Sequence, residues 1–169
     1  DFNGAAVNPA FLVIDSGASK ATTTLNIGNF LGRVSNTSGA LLIIPQNGGL
    51  GTSEQLTAAS IAGAISPGTN HGIFAPYIAA QVSALDSSID FLALGAGTQI
   101  VGGAAAYTGG DINSAGANSV YATTSAQTLT GNRQMFALKA DGTAAVINGA
   151  SNITLGDGKE ITYDYLLIA

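Results

Sequence analysis

Short apolar groups, separated by glycine and small polar residues, recur along the whole chain. Examples are Phe11–Ile14, Leu41–Ile44 and Leu166–Ile168. Apolar or β-branched runs of this length, bounded by turn residues, are typical of β-strands. The pattern predicts strands at Ala10–Ile14, Thr22–Ile27, Ala40–Ile44, Gly72–Ala79, Asp90–Leu94, Gln99–Gly102, Ser119–Ala122, Gln134–Lys139, Ala144–Ile147, Asn152–Leu155 and Glu160–Ile168.

The segment Ser53–Ala64 is the best candidate for a helix, with Leu56, Ala59 and Ile61 as its apolar positions. A loop is the alternative for this segment. Elsewhere the Lys, Glu and Arg residues that cover the outer face of an amphipathic helix are scarce. The chain is therefore predicted to be all-β.

The strands follow one another about every ten residues, a rhythm that fits either a β-sandwich or a solenoid. A right-handed parallel β-helix is favoured, because its outer face can consist of Thr, Ser and Asn. Its tight corners need residues that tolerate a positive φ, and Asn47-Gly48-Gly49 and Gly109-Gly110-Asp111 supply them. The alternative is a Greek-key or jelly-roll β-sandwich, for which a hairpin at Asp141-Gly142 is the strongest local signal.

Composition removes several classes of function. The 169 residues include no Cys and one His, His71, so thiolate catalysis, disulfides and multi-histidine metal sites are excluded. Five Lys+Arg against ten Asp+Glu give a net charge of -5, which argues against nucleic acid as a partner. No apolar window reaches the length of a membrane-spanning helix. We therefore expect no metal, no cofactor and no membrane-spanning segment.

The C-terminal half carries a distinctive phrase. Gln127–Arg133 reads QTLTGNR, and it is followed by Phe136-Ala137-Leu138 and by Ile153–Gly158. This phrase resembles the passenger repeats of autotransporter-associated β-strand proteins, which are large, low-charge secreted chains of planctomycetes and verrucomicrobia. The resemblance covers about residues 35–158 and departs from the family pattern between Val82 and Asp90.

The resemblance implies export, a β-helical shaft and a role at the cell surface, and it brings no catalytic residues with it. The predicted function is thus that of a non-enzymatic, extracellular structural protein, a shaft or matrix element of an adhesin-type surface protein. The main alternative is a carbohydrate-binding or carbohydrate-active β-helix, lyase-like or glycosidase-like, with a surface polysaccharide as partner. Pairs of acids about one coil apart, Asp90 with Asp111 and Asp141 with Glu160, are its candidate sites.

A minor alternative is a retropepsin-like aspartic protease at Asp15-Ser16-Gly17. In such enzymes an apolar strand delivers an Asp to a tight turn, and two Asp residues share a proton. The competing interpretation is a turn that ends the strand, in which Asp15 binds its own backbone.

The whole chain, residues 1–169, is predicted to form a single β-rich domain. Residues 1–34 can form an N-terminal extension and residues 160–169 a C-terminal assembly strand. Because no polar cap is evident at either end, the terminal strands are expected to pair with copies of the same chain, head to tail in a filament. The residues assigned to this contact are Phe11, Leu12, Val13, Ile14, Tyr163, Tyr165, Leu166, Leu167 and Ile168.

Overall fold

A computed structural model describes residues 10–19, 21–29, 41–60, 71–74, 78–84, 86–95, 97, 99–102, 107–155 and 166–168. The chain divides into two compact units, Asp1–Ala105 (unit 1) and Ala106–Ala169 (unit 2). Apart from one 3-10 turn, Ile112–Ser114, every regular element in the described residues is a β-strand, so the protein is all-β.

Unit 1 contains seven described strands. They are β1 Ala10–Ile14, β2 Thr23–Asn29, β3 Leu41–Pro45, β4 Glu54–Ser60, β5 Ile78–Ser83, β6 Asp86–Leu94 and β7 Gln99–Gly102. They form one mixed sheet in the order β1-β3-β5-β6-β7-β4-β2. The β1–β3, β3–β5 and β2–β4 pairs are parallel, whereas β5–β6, β6–β7 and β7–β4 are antiparallel.

Two parts of unit 1 repeat the same path. Residues 10–29 run through β1, a corner and β2, and residues 41–60 run through β3, a corner and β4; we call these the first and second rungs. Ala10 pairs with Leu41, and Thr23 pairs with Glu54. The side chains of Thr24 and Gln55, which are 31 residues apart, are also hydrogen-bonded. Both strands of the first rung therefore lie on the second with one constant offset.

Alternation of side chains builds the core of unit 1. In β3, Leu41, Ile43 and Pro45 are buried while the residues between them are half-buried. Leu56 and Ile100 come from the other arm of the sheet and are fully buried in the same cluster as Ile43. A period of two with one buried face is what a strand requires.

Unit 2 contains the 3-10 turn and seven described strands. They are β8 Val120–Thr123, β9 Gln127–Thr128, β10 Arg133–Met135, β11 Ala137–Ala140, β12 Ile147–Asn148, β13 Ile153–Leu155 and β14 Leu166–Ile168. Its described sheets are β14-β11-β8, β10-β13 and β12-β9. Each of these strand pairs is parallel. Gln127 pairs with Ile147 and Arg133 with Ile153, so two successive strands share the same offset.

The helix predicted at Ser53–Ala64 is wrong for the described part of that segment, because Glu54–Ser60 form strand β4. Leu56 and Ala58 point into the core, and β2 pairs with this strand along its length. Burial at alternate positions therefore overrides the helical spacing. Residues 61–64 lie outside the described residues.

The hairpin at Asp141-Gly142, which the β-sandwich alternative required, is absent. The strands on either side, β11 and β12, belong to different sheets, and each pairs in parallel with other strands. The turn, with Gly142 at φ +84°, carries the chain from one sheet to the next. The predicted strand Gln134–Lys139 is likewise divided into β10 and β11. Within the predicted strand Gly72–Ala79, Ile78 and Ala79 belong to β5, and residues 75–77 lie outside the described residues.

Candidate functional site

A buried carboxylate joins the corners of the two rungs in unit 1. Glu54, at the start of β4, is fully buried. Its Oε1 accepts hydrogen bonds from the Ser16 N–H (3.1 Å), the Ser16 hydroxyl (2.7 Å) and the Asn47 N–H (3.0 Å). Its Oε2 accepts one from the Ser53 hydroxyl at 3.2 Å. We call Asp15, Ser16, Asn47, Ser53 and Glu54 the Glu54 corner.

The hydrogen bonds of the Glu54 corner favour an ionised carboxylate. Burial by itself would raise the pKa of Glu54, because a charge is poorly solvated there. The donors from Ser16, Asn47 and Ser53 outweigh burial and hold the pKa of Glu54 below its ordinary value. Glu54 therefore acts as a charged acceptor that ties residues of the first rung to the second.

Asp15 lies in the same corner and is exposed. Its Oδ1 accepts a hydrogen bond from the Gly17 N–H at 2.7 Å and another from the Asn47 side-chain amide. The first contact is the strand-ending turn foreseen as the competing interpretation of Asp15-Ser16-Gly17. The protease alternative needs a second Asp from a partner chain, and it stays a prediction.

A second polar corner lies in unit 2, around Asn113. Asp111 Oδ1 accepts from the Asn113 N–H and side-chain amide, both at 2.9 Å. The same amide donates to the Thr128 carbonyl at 2.8 Å, and Asn113 Oδ1 accepts from the Thr130 N–H at 2.9 Å and the Thr130 hydroxyl at 3.0 Å. One side chain thus binds backbone 15 and 17 residues away.

Two further contacts in unit 2 follow the same principle. Gln127 Oε1 accepts from the Ile112 N–H at 3.1 Å, and Asn132 Oδ1 accepts from the Asn152 N–H, 20 residues later, at 2.9 Å. The hydrogen bonds of Asn113, together with the charge of Arg133, lower the pKa of Asp111. The side-chain amides of Gln127 and Asn132 therefore accept hydrogen bonds from backbone N–H groups 15 and 20 residues away along the chain.

Tyr121 and Lys139 are the large polar side chains in the interior of unit 2. Tyr121 is fully buried, and its hydroxyl donates to the Gly110 carbonyl at 2.7 Å. Burial raises the pKa of Tyr121. Lys139 Nζ lies 3.2 Å from Asp141 Oδ2 and 5.9 Å from the centre of the Tyr107 ring. The Tyr121 hydroxyl and the Lys139 ammonium group therefore both have partners inside the unit.

The acids proposed for carbohydrate chemistry belong to different elements and make different local contacts. Asp90 lies in β6 of unit 1, Asp111 belongs to the Asn113 corner, and Asp141 pairs with Lys139. Glu160 lies outside the described residues. In the described part of the chain, no three His, Asp or Glu side chains are grouped in a way that could hold a metal ion. His71 is half-buried in a turn, with φ 51°.

The predicted N-terminal assembly residues divide between the two faces of β1. Phe11 and Val13 are 62% and 52% exposed on the outer face. Leu12 is half-buried and packs against the core of unit 1, while Ile14 belongs to that core. The outer face of β1 is therefore available to a partner, and its inner face is partly occupied.

The predicted C-terminal assembly strand is described only at Leu166–Ile168. These residues form β14, which pairs in parallel with β11 at one end of its sheet. Tyr163 and Tyr165 lie outside the described residues. No helix in the described residues has the length and hydropathy to span a bilayer.

Sequence analysis missed Glu54 and Asn113. Glu54 fell inside the segment assigned to a helix, so its carboxylate was not connected with the turn at Ser16. A signal was available in the sequence, because Leu25 and Leu56 are separated by the same 31 residues that separate the paired positions of β2 and β4. For Asn113, the signal was a side-chain amide next to the turn at Gly109-Gly110-Asp111.

The fold and these corners define an all-β protein in which polar side chains join segments that are distant in sequence, within each of the two units. Comparisons with protein-family models, curated proteins and solved structures gave no match for the chain. The resemblance to autotransporter-associated β-strand repeats stays a prediction.

Proposed function

We propose that the chain is a non-enzymatic structural protein of the extracellular surface, built as two short β-solenoid segments that serve as a shaft or matrix element. The observation that carries this proposal is an offset shared by consecutive stacked strands: 31 residues for both strand pairs of the first two rungs of unit 1, and 20 residues for the β9–β12 and β10–β13 pairs of unit 2. In a solenoid each repeat contacts its neighbours, and a constant offset is the consequence.

The use of polar side chains supports a structural role. A glycosidase needs two carboxyl groups about 5–9 Å apart, one of them with a raised pKa. Glu54, the buried carboxylate of the described residues, instead has a lowered pKa and accepts four hydrogen bonds from its own corner. Its oxygens are occupied in joining rungs, as are the amides of Asn113 and Asn132.

A whole-rung deletion in unit 2 tests the solenoid arrangement. Removal of residues 132–151 deletes one 20-residue offset, so Asn152 follows Gly131 and β13 takes the place of β10. It also removes β11, so β14 must then take the place of β11 beside β8. A solenoid keeps its stacking after loss of one complete repeat. We expect β-type circular dichroism and a cooperative unfolding transition. The matched control removes residues 142–151, half that length, so β13 no longer aligns with its paired position in β10. This control should therefore show no cooperative unfolding transition. Equal behaviour of the two deletions would overturn the proposal.

The non-enzymatic part is tested separately with the full chain. Incubation with a panel of neutral and acidic polysaccharides should release neither new reducing ends nor unsaturated products. Release of either product, abolished in Glu54→Gln or Asp111→Asn, would replace the structural role with the carbohydrate-active alternative.

A further inference from the structure

Both edges of the seven-stranded sheet in unit 1 belong to a single rung. β1 and β2 lie at the two ends of the strand order, and they are joined through the corner at Asp15 and Ser16. In the described part of unit 1, β1 pairs with β3 alone and β2 with β4 alone. We call this end of the unit, formed by β1 and β2, the open end.

The opposite end of the same ladders is closed. β5 continues the ladder of β1 and β3, and β7 continues that of β2 and β4 in the antiparallel sense. β6 pairs with both β5 and β7, so it joins the two arms. The sheet of unit 1 can therefore be extended by strand pairing at the open end.

At the open end, the backbone N–H and C=O groups of alternate residues of β1 point away from the sheet. The Gln46 N–H donates to the Ile14 carbonyl at 2.9 Å, so the polar groups of Ile14 face β3. Successive residues of a strand direct their backbone groups to opposite sides. The N–H and C=O groups of Phe11 and Val13 therefore face away from β3.

The apolar core is also less completely covered at the open end. The inward side chains Leu12, Leu25 and Ile27 are half-buried, whereas Ile43 and Leu56 in the second rung are fully buried. β1 and β2 contain neither a charged residue nor a proline. Proteins usually place such residues on exposed edges to prevent pairing, so within β1 and β2 no residue of this kind opposes pairing.

We propose that a second copy of the chain docks on the open end about a two-fold axis, with β1 antiparallel to the partner's β1 and β2 antiparallel to the partner's β2. The inference deepens the proposed structural role, on which it rests, by naming the partner. A single extended peptide could pair with one edge, but it would leave the other edge unpaired and the apolar centre uncovered. A second open end supplies two edges at the same separation and a matching apolar centre.

Two-fold symmetry also makes the contact self-limiting. Identical strands pair antiparallel across a two-fold axis, and such an isologous contact closes after two subunits. A register centred on Leu12 brings Phe11 of each copy opposite the partner's Val13, which covers the two most exposed large apolar side chains in the described part of unit 1. Cross-strand apolar pairs of this kind stabilise sheets. The contact through unit 1 therefore yields a closed pair of chains instead of a head-to-tail filament.

Sedimentation velocity of the full chain tests this contact. The sample should shift from a mixture of monomer and dimer at about 1 µM to dimer at about 100 µM, as a dissociation constant near 1 µM requires. The double variant Phe11→Lys, Val13→Lys places charges on the outer edge and should be monomeric throughout. The control Val146→Lys, Thr154→Lys adds the same charge at exposed positions of unit 2 and should stay dimeric. All three should share one β-type circular dichroism spectrum.

A cross-link provides a second measurement. Because the chain has no Cys, the variant Phe11→Cys, Val13→Cys should give a covalent dimer on oxidation, and Val146→Cys should not. A monomeric wild type, a series of larger oligomers, or a dimer that survives both lysines at the edge would overturn the proposal. The whole-rung deletion lies in unit 2, so its failure would be recognised separately.

Discussion

Replacement of Glu54 is the most direct test of the claim that a buried carboxylate ties two rungs together. Glu54→Ala removes the acceptor of four hydrogen bonds, two from backbone N–H groups and two from hydroxyl groups. Ser16 is buried, so its N–H keeps no acceptor, whereas the half-buried Asn47 can be reached by water. A hydrogen bond to a charged group contributes roughly 1.5–3 kcal/mol.

The structure therefore predicts that Glu54→Ala lowers the free energy of unfolding by about 3 kcal/mol, since some of the donors recover water. Glu54→Gln keeps one oxygen for Ser16 and Asn47 but loses the charge and the oxygen that accepts from the Ser53 hydroxyl, so its loss should be about 1 kcal/mol. Gln55→Ala, next to it on the outer side of the same strand, is the matched control and should cost less than Glu54→Gln.

Urea unfolding followed by circular dichroism measures these differences, and amide hydrogen exchange locates them. In Glu54→Ala the Ser16 and Asn47 amides should exchange much faster, while the amides of unit 2 keep their protection. If Glu54→Ala proves no more destabilising than Gln55→Ala, the carboxylate does not hold the rungs together, and the interpretation of the Glu54 corner is refuted.

Three further predictions concern the two polar corners. Because the folded-state pKa of Glu54 lies below its ordinary value of 4.5, the stabilisation by its carboxylate is present above about pH 4.5 and is lost as the pH falls through the folded pKa. The difference in free energy of unfolding between wild type and Glu54→Gln, measured in urea, should therefore become smaller below that pH. A difference that does not change with pH would contradict this. Gly48→Ala should destabilise strongly in thermal unfolding, because a Cβ there would overlap the Ser53 hydroxyl and approach Glu54 Oε2 to 2.9 Å, whereas Gly28→Ala, with open space around it, should be nearly neutral. Asn113→Ala should cost about 2 kcal/mol in urea unfolding, and Asn113→Asp at least as much, because its second carboxylate oxygen would face Asp111 Oδ1 and the Thr128 carbonyl, to which the Asn113 amide now donates; a smaller loss in Asn113→Asp would contradict the role of the amide donor.

Strand positions were predictable where one face of the strand is buried. Ala10–Ile14 and Gln99–Gly102 have the predicted bounds because their apolar runs end at turn residues. β4 was not predictable in this way, since Ala58 and Ala59 carry little information on which side faces the core. Its identity as a strand depends on pairing with β2, a contact between residues far apart in sequence.

The corners were predictable as turns but not as interactions. Asp15-Ser16-Gly17 and Asn47-Gly48-Gly49 both signal a change of direction. That Ser16 and Asn47 meet at one oxygen of Glu54 depends on the offset between rungs, which no local pattern specifies. Likewise, the Asp141-Gly142 pair is a strong hairpin signal, and it was overridden because β11 and β12 pair with strands in other parts of unit 2.

The antiparallel meander of β5, β6 and β7 has a consequence for how unit 1 acquires its structure. Its strands are neighbours in sequence, so little chain entropy is lost when they meet, and contacts of this kind form early. The ladder from β5 to β3 to β1 requires longer loops to close and should grow afterwards from this nucleus. During synthesis, however, β1 and β2 leave the ribosome before β3 and β4. The first rung therefore cannot bury its apolar face until the second rung, with which it pairs, has also left the ribosome.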